Sequence, residues 1–127
     1  MADLIPQQML PMARFRYPNT WKATAVSGAS PQADQVVATG VASKHIVVGY
    51  LMISNLSEAA VGITINWESG TTFARLTIPG GGVTLMNFIG IEPVSVTADK
   101  DLHADFTSAS AINAEMTCGY FEVPEVT

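Results

Sequence analysis

Residues 45–88 read HIVVGYLMISNLSEAAVGITINWESGTTFARLTIPGGGVTLMNF. Two long apolar runs and two shorter ones are divided by SEAA, ESG and PGGG. Short runs rich in β-branched and aromatic residues, cut by Gly, Pro and Ser, form strands rather than helices. The run 61–67 alternates, with Val61, Ile63, Ile65 and Trp67 on one face and Gly62, Thr64 and Asn66 on the other. That is the pattern of a half-buried strand. Glu68-Ser69-Gly70 turns it into a hairpin, Gly70 supplying a positive φ without steric cost. On the return strand Thr72, Ala74, Leu76 and Ile78 form the expected inner set, and Phe73 and Arg75 point out or onto a neighbour.

The run 46–53 is unlike its neighbours. Val47, Leu51 and Ile53 occupy odd positions and Ile46, Val48, Tyr50 and Met52 even ones, so both faces are apolar. Such a strand is covered on both sides within the fold, or meets another subunit with one face. Tyr and Met are enriched at interfaces. The expected oligomer interface is therefore Ile46, Val48, Tyr50, Met52 and Phe73.

Working outward, 20–26 and 36–40 read as short strands joined by the polar loop 27–35, and VSVTA at 94–98 as another. DLHADFT at 101–107 places Leu102, Ala104 and Phe106 on one face. NAEMTCGYFEV turns Ala114, Met116, Cys118 and Tyr120 inward and shifts at Gly119, a candidate bulge. About eight regularly spaced strands describe an all-β, antiparallel β-sandwich of the jelly-roll kind. In residues 1–20, Pro6, Pro11 and Pro18 exclude helix and inner strand. The expected organisation is an extended N-terminal arm, 1–20, and one sandwich domain, 21–127.

The arm is apolar, with Leu10, Phe15, Tyr17 and Trp21, and mildly basic. It carries Arg14 and Arg16, and with Lys22 these oppose only Asp3 across residues 1–22. The rest of the chain sets Lys44, Arg75 and Lys100 against ten acidic residues. An acidic body is poor material for nucleic-acid binding. Only 13% of the 127 residues are charged, about half the usual quarter, which suggests surface covered by another chain. No apolar run reaches the ~18 residues that span a bilayer, and the first residues lack the pattern of a signal peptide. Cys118 is the lone cysteine, expected as a small buried hydrophobe.

Little here resembles catalytic machinery. IPGGG lacks the lysine and the following helix of a phosphate loop and reads as a bend. No HExxH or GxSxG is present, and the expectation is a non-enzyme without cofactor or metal. Asp101, His103 and Asp105 share one strand face, but neighbours on a face lie ~6.5–7 Å apart and converge poorly on one ion. The trio reads as a solvated polar face, with an ion at an oligomer axis as the other use open to it.

The runs LMISNLSEAAVGITINWESGTTFARLTIPGGGVTLMNFIG (51–90) and MTCGYFEVP (116–124) resemble small virion structural proteins of tailed bacteriophages, above all head decoration (cement) proteins. The likeness covers residues 40–125. It implies a homo-oligomer, a trimer favoured, which assembles in the host cytoplasm, sits on the capsid exterior and grips junctions of the major capsid protein. Leu10, Phe15, Tyr17 and Trp21 would be apolar anchors, with Arg14 and Arg16 pairing to acidic capsid residues. A receptor- or carbohydrate-binding tail-fibre or baseplate domain, and a minor head or tail completion protein, are the other readings. No nucleic-acid or membrane partner is expected.

Overall fold

The computed structural model describes residues 20–68, 70–88 and 90–125. Eight strands follow in order: β1 (Thr20–Gly28), β2 (Gln32–Ala38), β3 (Lys44–Asn55), β4 (Val61–Trp67), β5 (Thr72–Ile78), β6 (Val83–Asn87), β7 (Leu102–Ser108) and β8 (Ile112–Pro124). Two four-stranded sheets form, β1-β8-β3-β6 (sheet A) and β2-β7-β4-β5 (sheet B), all pairs antiparallel. The β-sandwich expected from the alternation is present. The pairs nest: β4 with β5, β3 with β6, β2 with β7 and β1 with β8.

Inward side chains of both sheets build one core. Val61, Ile63, Ile65 and Trp67 come from β4, Leu102, Ala104 and Phe106 from β7, and Ala114, Met116, Cys118 and Tyr120 from β8. These are the sets that period-two alternation assigns.

The two-faced apolar strand has a local explanation. Val48 pairs with Tyr120 but Tyr50 with Gly119, so Gly49 is an extra residue, a bulge. One inserted residue exchanges the two faces of everything beyond it. Ile46 and Val48 point into the core before the bulge, and Leu51 and Ile53 after it. Ile46 and Val48 are thus core residues rather than the interface residues expected of them. Tyr50 and Met52 lie on the outer side of sheet A.

Phe73 also lies elsewhere than anticipated. The β4–β5 register slips between Ile65↔Ala74 and Asn66↔Thr72, leaving Phe73 unpaired on the ladder. Its ring packs on this chain's own Trp67 and Phe88, centroids 5.5 and 5.9 Å apart. The bulge opposite Gly119 sits on β3, and Gly119 is bare for a different reason. The Tyr50 ring lies where a Cβ at Gly119 would be.

Two loops differ from expectation. Strand β2 begins at Gln32, taking in residues read as loop, through an irregular register with β7 that admits Asp34 at φ 54°. Residues 94–98 are not a strand and make one bridge, Val47↔Val94. The loop instead follows the first half of β3 by single bonds: Val48 N donates to Pro93 O (2.9 Å) and Ser95 N to Ile46 O (3.0 Å). Ser95 Oγ accepts from Ile46 N at 3.1 Å, and His45 Nδ1 lies 2.8 Å from Ser95 O.

The PGGG segment is a bend between β5 and β6, with Gly82 N donating to Pro79 O at 2.9 Å and Gly81 at φ 76°. A Cβ at Gly80 would collide with the Glu58 carbonyl. Buried Asn55 fixes this corner: Nδ2 donates to the carbonyls of Ala59, Ile78 and Pro79 at 3.0–3.2 Å, and Oδ1 accepts from Ser57 N at 2.9 Å.

Candidate functional site

Residues paired across antiparallel strands share a face. On the outer side of sheet A the register therefore writes three rows. They are Trp21–Gly119–Tyr50–Asn87, Ala23–Thr117–Met52–Leu85 and Ala25–Glu115–Ser54–Val83. Glu115 is the single charged residue among these twelve. Trp21 is 68% exposed, Val83 63%, Leu85 62% and Met52 41%. The small Ala23 and Ala25 leave a shallow open depression of about 340 Å³ over β1 and β8, floored by Thr24 and Met116 and edged by Glu115 and Thr117. This surface offers contact area, and no nucleophile with a base.

Of the expected partner-binding residues, Trp21 stands in the first row, across Gly119 from Tyr50. Leu10, Arg14, Phe15, Arg16 and Tyr17 lie outside the described residues. Leu85 and Val83 were missed by sequence reasoning. Their signal was the apolar run 83–86, but the sheet position of β6 beside β3 was needed to place them next to Met52.

The outer side of sheet B is chemically opposite. Thr64 lies between Asp105 and Arg75, and Asn66 between His103 and Thr72. The expected trio is split. Asp105 is fully engaged, Oδ1 accepting from Asp34 N at 2.7 Å and Oδ2 from Asn66 Nδ2 at 2.9 Å. Asp101 and His103 do approach, His103 Nε2 lying 3.5 Å from Asp101 Oδ2. Glu68 stands third in this group, a residue the sequence did not flag because the β4–β7 pairing brings it there.

Cys118 is buried as expected, and desolvation pushes its thiol up from 9.0 to about 12. It remains a protonated thiol at neutral pH, whereas the thiolate is the nucleophile. Burial also raises the Tyr120 phenol, reinforced by the negative charge of Glu122 and by Cys118.

No family model and no curated protein matches the sequence. Among solved structures, the crystal structure of PirA aligns at 12% identity over 79% of this chain and 92% of that chain, with a TM-score of 0.42. No helix among the described residues is long and apolar enough to cross a membrane.

Proposed function

We propose that this protein is a non-enzymatic assembly protein, and specifically a capsid decoration or cement protein of a tailed-phage virion. The carrying observation is the outer face of sheet A, three rows with one charge and four large exposed apolar side chains. Surfaces depleted of charge and holding Trp, Tyr and Met are those that other chains cover. The occupant of this face is a second copy of the chain within a homo-oligomer, a trimer being the favoured state. The nested strand pairing is read as the jelly-roll variety of sandwich, two Greek keys folded together.

The apolar arm 1–20, with Leu10, Arg14, Phe15, Arg16, Tyr17 and adjoining Trp21, then engages the major capsid protein on the outer surface of the shell. The mechanism is mechanical. Each oligomer adds buried area across capsid subunit boundaries, and only the assembled shell presents the site, so stabilisation follows mass action.

Native mass spectrometry of the purified chain is the first test, with an oligomer expected and a monodisperse monomer overturning the self-association. Co-sedimentation with candidate capsids, with and without residues 2–18, separately tests the arm. Loss of sedimentation with the oligomer intact is the expected result. A carbohydrate-binding reading is favoured by one observation, the exposure of Trp21, since sugars stack on exposed rings. Glycan-array binding abolished by Trp21→Ala would replace the capsid reading with that one.

A further inference from the structure

Where β4 ends and β7 begins, Glu68, Asp101 and His103 offer ligand atoms that all lie within 4.8 Å of one another. The main chain builds this arrangement. Trp67↔Leu102 is the last rung of the β4–β7 ladder. Just past it Glu68 N donates to Asp101 O at 2.9 Å, and Asp101 N donates to Glu68 Oε1 at 3.1 Å. Asp101 Oδ1 in turn accepts from Gly40 N at 2.6 Å. Each carboxylate is thus anchored to backbone through one oxygen, with its other oxygen turned to different neighbours.

The imidazole distinguishes this group from a mere patch of acid. The His103 side chain is only 15% exposed, with Nε2 3.5 Å from Asp101 Oδ2 and Nδ1 3.9 Å from Asp34 Oδ1. Nε2 is the ring nitrogen on the side of the Asp101 carboxylate, where the ligand atoms gather.

We propose that Glu68, Asp101 and His103 bind one first-row divalent transition ion, Zn²⁺ being the type, through His103 Nε2 and one oxygen of each carboxylate. Bonds of ~2.0–2.1 Å in a tetrahedron separate ligand atoms by roughly 3.4 Å. The Nε2–Oδ2 separation of 3.5 Å already matches that edge, and Glu68 must close by a rotamer adjustment at the surface. Lys100 Nζ, 3.9 Å from Glu68 Oε2, is the competing cation, in an exposed pair that contributes little. Imidazole suits zinc and its neighbours, while Ca²⁺ and Mg²⁺ prefer ligand sets made of oxygen alone. The fourth position is left for water or a group from a partner. The ion ties the β4–β5 turn and the Gly40 loop to the entry of β7, and so stabilises sheet B independently of any assembly through sheet A.

The test is titration calorimetry of the tag-free full chain with Zn²⁺ and Mg²⁺, alongside absorption spectra with Co²⁺. One Zn²⁺ per chain at micromolar concentration, no Mg²⁺, and the visible bands of tetrahedral Co²⁺ are expected. Glu68→Gln and His103→Gln should each weaken Zn²⁺ by about tenfold or more. Glu68 is exposed, and its glutamine still accepts from Asp101 N, so that variant remains folded, as circular dichroism would verify. No Zn²⁺ uptake at millimolar concentration, or equal uptake by wild type and the Glu68→Gln/His103→Gln double variant, overturns the site.

Discussion

The two outer faces of this sandwich each belong to a four-stranded antiparallel sheet, yet their chemistry differs. On sheet A, Trp21, Met52, Leu85 and Val83 stand exposed with one carboxylate among them. On sheet B, Asp105, Asn66, His103 and Arg75 occupy the equivalent side, and Asp105 holds both a β2 amide and a β4 side chain. A face that satisfies its own polar groups is finished in water. On the proposed reading, the face that leaves apolar side chains open is finished by another molecule.

The sharpest way to break this contrast uses adjacent residues. Leu51→Lys places an unpaired charge in the core and should cost about 4 kcal/mol or more, measured by urea unfolding. Met52→Lys, one residue on, should change monomer stability by less than ~0.5 kcal/mol while dissociating the proposed oligomer in native mass spectra. A larger stability loss at Met52 than at Leu51 would contradict the Gly49 bulge, because without it the two residues exchange faces. Gly119→Ala pushes against the Tyr50 ring and should cost ~1–3 kcal/mol, with the Tyr50 ring displaced and the proposed association weakened as well. Asp105→Ala should cost a similar ~1–3 kcal/mol, by leaving Asp34 N and Asn66 without their acceptor, yet leave the oligomer mass unchanged.

The smallest effect concerns the layer between the faces. The Cys118 thiol is raised in the folded chain from 9.0 to about 12, so between those values the unfolded chain binds fewer protons than the folded one. Stability is therefore fully present below pH 9 and falls as pH rises toward 12, with about 1 kcal/mol lost by pH 10. Tyr120, also raised, adds in the same direction. Unfolding curves at pH 8 and 10, compared with Cys118→Ala, would measure it.

Strands with one polar face were legible from the sequence, because Val61–Trp67 and Leu102–Ser108 alternate without interruption. Strand β3 was half legible. Its two apolar faces are one inner face cut by a bulge, and the signal was Gly49 inside an otherwise β-branched run. Residues 94–98 have strand composition, but after Pro93 they make scattered bonds to β3 rather than a ladder. Trp21 and Met52 were legible as surface candidates through residue type. Glu68 was not, because its meeting with Asp101 is set by the β4–β7 register and not by any local spacing.

The nested pairing has a kinetic consequence. Strand β1 finds its partner only in β8, Thr20 against Tyr120 and Gly28 against Ile112, so the first strand made waits for the last. The central pair β4–β5 closes a short loop, while sheet A needs the longest loop closure in the described chain. Folding dominated by such distant pairs belongs to the millisecond-to-second range of all-β sandwiches. During that interval the strands of sheet A lack their edge partner, and their open edges and apolar side chains are exposed to other chains. The apolar face of sheet A is thus the last part of the described chain to be completed, and copies that meet too early meet as unfinished sheets.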